Sequence, residues 1–419
     1  MNGALDFRDR ATGRRASRFD VFEMSVQTQA QQLHQGPGPL DFPESPLSRA
    51  TRQPMMLGLF LPTQTGGFSQ SKYPRGTRWD FEYNKQLTLT AEAHGFEFVF
   101  GLQQWVGKGG YGGEIKYREN FLDPFISTVA IGALTTRMMT ISTVHILYGN
   151  WHPLHLARFA ATADHITGGR FGLNIVTGYD ANEPLMFGMT RIPHDERYER
   201  ADEFASIMED LWLGEDNLTY QGRFYQLQGA YVSPRPAFGR PLMVSASASP
   251  AGFAYAAKHS DIVFTSSPAG AVFENAIRAL PAHVKKIREA YAKTGRTGKV
   301  IIFPLIVCKE THEEAMAYRN AIVENADYES IRAYTARHQA GDAYGWKDHV
   351  PADRIMGGHI QIVGSPEEVA DQIEQLKEAD FDGIQIGFYD YVPDLEFFAA
   401  TVIPLLEKRG LRLPRSAAA

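Results

Sequence analysis

The chain has 419 residues, 44% of them hydrophobic, enough for a substantial core in one large domain or a few small ones. Its formal net charge of −6 gives no electrostatic basis for holding nucleic acid or an anionic membrane. Cys308 is the only cysteine, which excludes an intrachain disulfide framework and a cysteine-cluster metal site, and no apolar run reaches the ~18 residues of a membrane-spanning helix. A cytoplasmic protein acting on small molecules, without nucleic-acid or membrane partners, is the expectation.

Residues 1–50 read as a flexible leader or arm. Arg8, Arg10, Arg14, Arg15 and Arg18 are interrupted by Asp6, Asp9 and Asp20, and no apolar stretch follows as it would in a secretory signal. Gln27 to Thr51 is rich in Gln, Pro and Ser, and Met24 is an alternative start to Met1. A single domain is expected over residues 51–410. Short apolar runs predict strands at Met56–Leu61, Phe96–Leu102, Met139–His145, Phe171–Val176, Leu242–Ala246, Asp261–Thr265, Val300–Val307 and Gly383–Gly387. Between them, helical spacing predicts helices at Phe81–Ala93, Pro124–Leu134, Leu154–Ile166, Arg197–Trp212, Ala251–Lys258, Phe273–Lys293, Glu313–Val323 and Glu367–Ala379, with Leu395–Glu407 closing the chain. Ser365-Pro366-Glu367-Glu368 supplies a cap, a first-turn proline and acids at a helix start, while Gly95, Gly168 and Gly169 suit helix ends.

Alternation of β and α along the chain argues for an α/β fold, and eight strands in this length fit a (β/α)8 TIM barrel better than an open doubly wound sheet. Two connections, about 178–240 and 310–358, are too long for simple barrel loops. Both follow strands, so they are insertions at the C-terminal face, where this fold carries its active sites. Within the second, Asp327–Val350 shows no clean periodicity.

Polar residues gather where strands end. Gln103 and Gln104 follow the second strand, His145 ends the third, and Trp151, His152 and His155 lie beyond it. Asn174 sits inside the fourth strand, where an amide must be paired, either to a neighbouring strand or to the edge of a heteroaromatic ligand. Ser247-Ala248-Ser249-Pro250-Ala251-Gly252 reads as a strand-to-helix turn, serving as a simple helix cap or as an anion site. Arg197-Tyr198, placed at a helix start, is either a phosphate clamp or an ordinary surface pair. The glycine-rich Gly107–Gly113 lacks a dinucleotide fingerprint and reads as a close-packed loop. His152 and His155 lack an acidic ligand at metal-site spacing, and no Gly-x-Ser-x-Gly elbow follows a strand, so neither a metal site nor a serine hydrolase is expected. Trp105, Tyr111, Tyr148, Trp151, Tyr179, Phe187 and Phe388, at or beyond strand ends, suggest an aromatic-lined mouth.

Several segments together resemble the bacterial-luciferase-like, flavin-dependent monooxygenase family, in its branch containing pyrimidine and dimethylsulfone monooxygenases. They are Ala160-Ala161-Thr162-Ala163-Asp164-His165-Ile166-Thr167-Gly168-Gly169-Arg170 running on to Gly178, His194-Asp195-Glu196-Arg197-Tyr198, Tyr220-Gln221-Gly222-Arg223-Phe224-Tyr225 and Ser233-Pro234-Arg235-Pro236. The resemblance implies a two-component monooxygenase that uses reduced FMN (FMNH2) from a separate NAD(P)H:flavin reductase and O2 to oxygenate a small organic substrate. A sulfone or other organosulfur compound is the first expectation, and an N-heterocycle or a chlorinated or polycyclic aromatic the second. A deazaflavin-dependent dehydrogenase and a non-catalytic flavin-binding barrel are the alternatives. The family's FMN-binding positions map to Gln103, Gln104, Asn174, Glu183, Arg197, Tyr198 and Ser249, with Glu183 accepting from a ribityl hydroxyl or pairing with Arg197. Gln103 and Gln104 stand where the pyrimidine branch has Ile-Lys, a departure that argues against pyrimidine ring opening. Asn174, His145, His152 and Gln104 are the catalytic candidates, and a homodimer or homotetramer is implied.

Overall fold

The computed structural model describes residues 36–149, 151–341 and 351–414. In chain order its strands are β1 (Met56–Phe60), β2 (Phe98–Gly101), β3 (Met139–His145), β4 (Phe171–Val176), β5 (Leu218–Gln221), β6 (Gln226–Ala230), β7 (Leu242–Ala246), β8 (Ile262–Thr265), β9 (Lys299–Ile302), β10 (Pro304–Cys308), β11 (Ile360–Gly364) and β12 (Gly383–Ile386). Eight of these, in the order β1-β12-β9-β8-β7-β4-β3-β2, close a parallel barrel wrapped by helices, as the βα alternation predicts. Covered on both faces, β1, β2, β7 and β12 are apolar or small almost throughout. Local signals act as expected: Ser365 and Glu368 form a reciprocal capping box, and Gly168 ends its helix at φ +64°.

The run predicted as one strand over Val300–Val307 is two. Proline has no N–H for a ladder, so at Phe303-Pro304 the chain leaves the barrel, and β10 pairs instead with β11, a strand the sequence reading lacked. The same proline's carbonyl still accepts from Gly387 N–H at 3.0 Å, which keeps this small sheet against the barrel mouth. The first long connection carries the antiparallel β5–β6 hairpin, also unforeseen. Its long helix begins at His194, three residues before the Arg197 start expected. In the second connection, Tyr328–Ala340 is a helix capped by Asp327 where no periodicity was visible, while residues 342–350 lie outside the described residues.

Of the expected leader, residues 1–35 lie outside the described residues, and with them Met24. Residues 36–50 are seated on the barrel: Ser45 caps a short helix, Leu47 is buried, and Gly38 packs so close to the Arg240 guanidinium that a Cβ there would lie 2.6 Å from it. No helix among the described residues is long and apolar enough to cross a membrane.

Candidate active site

Phe60 of β1 and Phe100 of β2 stand in register, and with Phe264 of β8, Phe303 just after β9 and Phe68 of the loop after β1 they form a floor of phenyl rings. Phe60 contacts Phe68, Phe100 and Phe303 at ring-centroid distances of 4.3, 5.3 and 5.0 Å, and Phe264 stands edge-on to it at 6.1 Å. Above the floor is a cavity of about 250 Å³ that opens through the C-terminal face. Gln103, Gln104, His145, Asn174, Glu183, Arg197, Tyr198 and Ser249, expected at the site from sequence, all line it.

Asn174 is the hinge between two walls. Its Nδ2 donates to Thr143 Oγ1 on β3 (3.0 Å), and its Oδ1 accepts from Ala246 N–H at the end of β7 (3.0 Å). Both halves of the buried amide are therefore paired, as its dry position requires, and the side chain is held rigid in the cavity wall.

On the β7 side, Ser249 caps the Pro250–His259 helix, its Oγ accepting from Gly252 N–H at 3.1 Å. Ser247 Oγ donates to Gly252 carbonyl oxygen at 3.2 Å. A Cβ at Gly252 would come within 3.0 Å of both Ser247 Oγ and Tyr198 Oη, so a side chain there would push on both hydroxyls. Buried Arg197 faces the same end of the cavity from the neighbouring helix. A helix N-terminus, the Ser249 hydroxyl, a tyrosine hydroxyl and a guanidinium make a donor set suited to a phosphate.

Between the cradle and β2 lies a carboxylate cluster. His145 Nδ1 is 2.9 Å from Glu183 Oε2, Tyr148 O–H donates to that oxygen, and Trp105 N–H donates to Oε1 at 3.1 Å. Glu183 therefore faces His145. Asp180 holds Arg337 of the Tyr328–Ala340 helix and accepts from Asn182 N–H at 2.7 Å. Gln104 Nε2 donates to Tyr111 Oη at 2.7 Å while its Oε1 accepts from Arg118, so this amide positions its neighbours. Burial raises the Tyr111 and Tyr179 hydroxyls well above the ordinary tyrosine range, which keeps both protonated.

His152 is not brought to this site. It caps the Pro153–Thr167 helix, with Nδ1 accepting from Leu154 N–H at 3.2 Å, and its ring stands edge-on to Tyr225. Burial, with help from His155, lowers its pKa. Asn150, at the turn before it, lies outside the described residues. The aromatic mouth is also revised: of the seven rings named from sequence only Tyr179 lines the cavity, and the apolar surface comes from phenyl groups within the barrel. Sequence reasoning missed Arg118, Tyr334 and His359, which line the cavity from the glycine-rich loop region and the second insertion.

The family model for luciferase-like monooxygenases matches residues 55–383, the stretch that builds seven of the eight barrel strands and every wall just described. The chain belongs to that family. This luciferase-like monooxygenase is 30% identical over 367 residues to an FMNH2-dependent dimethylsulfone monooxygenase of Pseudomonas fluorescens, covering 85% of this chain and 96% of that protein. It is 31% identical over 367 residues to the pyrimidine monooxygenase RutA of Rhizobium rhizogenes, covering 85% and 97%. Among solved structures, riboflavin lyase RcaE with modified FMN and riboflavin aligns at TM-score 0.74 and 25% identity, covering 85% of this chain and 92% of that one. DmoA of Hyphomicrobium sulfonivorans shares the fold at TM-score 0.75 and 22% identity, covering 86% and 89%. The enzyme is thus an FMN-dependent monooxygenase, and the bare Gly252 backbone between Ser247, Tyr198 and the helix N-terminus fits that cofactor's phosphate.

Proposed function

We propose that the chain is the oxygenase of a two-component system: a separate NAD(P)H:flavin reductase supplies FMNH2, and one atom of O2 enters a small organosulfur compound. The reading is carried by one observation, a single cavity that joins a phosphate cradle at β7 to an apolar floor, with Asn174 fixed between them. Arg197, Tyr198, Ser249 and the helix N-terminus would hold the FMN phosphate. Asn174 and Thr143 would set the height of the ring system above the phenyl floor, which excludes water from the reacting edge. Reduced FMN, when bound, supplies the oxygen-activating chemistry. His145, 2.9 Å from the Glu183 carboxylate, would hold or move a proton there.

Gln104 favours organosulfur compounds over pyrimidines. Its neutral amide stands where the pyrimidine branch has lysine, and both ends of that amide are already engaged by Tyr111 and Arg118. The test is anaerobic loading with FMNH2, then labelled dioxygen in the presence of dimethyl sulfone, methanesulfonate or uracil, with products read by mass. One labelled oxygen in an organic product, dependent on FMNH2, is expected. Turnover without oxygen would place the protein with deazaflavin dehydrogenases. Hydrogen peroxide alone with every compound would leave a flavin-binding barrel without oxygenase activity.

A further inference from the structure

Arg118 is a cation built into the cavity wall with no acid to neutralise it. It is only 6% exposed and lines the cavity. A guanidinium stays protonated at any physiological pH, so its charge has been taken out of water and must be answered. Among the described residues no carboxylate pairs with it. The two acids of the same wall are committed elsewhere, Asp180 to Arg337 and Glu183 to His145, Tyr148 and Trp105 N–H.

What surrounds Arg118 is neutral and oriented. One Nη donates to Gln104 Oε1, and the guanidinium carbon lies 5.0 Å from the Tyr117 ring centroid and 5.3 Å from that of Tyr334. Its Nε–H, fully buried, has no hydrogen-bond partner. The backbone is strained to keep it there, with Arg118 at φ +62°, a left-handed conformation that non-glycine residues rarely adopt. The glycine-rich loop explains how that strain is held. Tyr111 N–H donates to Tyr117 carbonyl oxygen at 2.8 Å, and a Cβ at Gly110 would lie 2.2 Å from the same carbonyl. Arg118 N–H is anchored to Thr65 carbonyl oxygen at 2.9 Å.

We infer that Arg118 is the head-group ligand for a small organic monoanion, so the substrate carries a sulfonate, sulfinate or carboxylate. Such an oxyanion accepts from the guanidinium N–H groups at the cavity wall, restoring charge balance, while a short apolar body lies over the phenyl floor. The cofactor's phosphate would be answered elsewhere, because the cradle proposed for it sits at the end of β7, three strands around the barrel from β2. This inference takes its chemistry of oxygen transfer from the proposed function, but anion binding itself does not depend on turnover.

The test is calorimetric titration of the full chain, with and without FMN, using methanesulfonate, acetate and the neutral dimethyl sulfone at fixed ionic strength. The wild type should bind at least one anion about tenfold or more tighter than the sulfone. Arg118→Gln should abolish that preference, Arg118→Lys should keep part of it, and FMN affinity should stay within about twofold in both variants. A better grip on methanesulfonate assigns a sulfur oxyanion, and a better grip on acetate assigns a carboxylate. The inference is overturned if wild type holds the sulfone as well as either anion, or if Arg118→Gln keeps the preference. It is also overturned if that variant loses FMN rather than the anion. Should Arg118→Gln fail to fold, the wild-type panel and Arg118→Lys decide alone. Anion binding without any oxygenated product would sink the proposed function and leave Arg118 as assigned.

Discussion

Ser249 allows folding and cofactor binding to be separated at one atom. Its Oγ accepts from Gly252 N–H at 3.1 Å, and its own proton remains to be donated into the cavity. Ser249→Ala removes both functions. The lost cap should cost about 1 kcal/mol of stability, and the lost hydroxyl should weaken FMN binding by about 1–3 kcal/mol. Ser249→Asp keeps the cap, since aspartate is as good a capping residue as serine. It also sets a carboxylate against the phosphate, and at about 4 Å with an effective dielectric near 20 each pair of unit charges repels by about 4 kcal/mol, on the order of a thousandfold in affinity. Urea unfolding read beside fluorescence titration with FMN resolves the two effects. Ser249→Asp should unfold close to wild type yet fail to hold FMN. Wild-type FMN affinity in Ser249→Asp would show that the phosphate does not sit at this helix, and the site assignment would collapse.

Gly252→Ala should weaken FMN binding by about 1–3 kcal/mol, because its Cβ forces Ser247 and Tyr198 apart; an unchanged titration would dissociate that backbone from the cofactor. Arg240 donates to both oxygens of buried Asp261 at 2.6 and 2.8 Å, so Arg240→Met should cost about 3–5 kcal/mol in urea unfolding, and a loss below about 1 kcal/mol would refute this. His259 is buried between Asp202 (2.8 Å) and Glu209 (3.2 Å); burial lowers its pKa, but the two acids outweigh burial and leave it raised above 6.5. A raised folded-state pKa stabilises fully below the unfolded value and is lost as pH climbs through the folded one. The melting-temperature advantage of wild type over His259→Gln should therefore be largest near about pH 6 and shrink toward about pH 9; a gap that grows with pH would reverse the assignment.

The barrel was legible because a strand covered on both faces has little choice of composition: Met139–His145, Phe171–Val176 and Leu242–Ala246 begin and end where their runs rich in apolar and β-branched residues do. The break at Phe303 was hidden inside such a run, although Pro304 carried the signal through its missing N–H. The β5–β6 hairpin is mostly exposed or half-buried, and its alternation runs over only the four residues of β5 and is broken in β6, too short a pattern to read. The Tyr328–Ala340 helix buries Ser330, Ile331, Tyr334 and His338, a stripe with helical spacing but mostly polar or aromatic chemistry, which a search for apolar periodicity passes over. At the site, residues on or next to barrel strands could be placed because the barrel dictates where strand ends meet. Arg118 could not, because its position depends on a loop folding back on itself. The clustered glycines of 107–113 marked that tight fold without saying which side chain it would present.

The same loop reaches further than its own turn. At Gly113 a Cβ would fall 2.3 Å from an Asp327 carboxylate oxygen, and Asp327 both accepts from Ile115 N–H at 3.0 Å and caps the helix bearing Tyr334, Arg337 and His338. Loop and insertion helix are thereby clamped into one unit that lines the cavity through Arg118 and Tyr334, apart from the serine turn at β7 proposed for the phosphate. Changes along that unit would retune what the enzyme accepts without touching β7 and its helix, an arrangement in which selectivity can drift and the chemistry stay fixed.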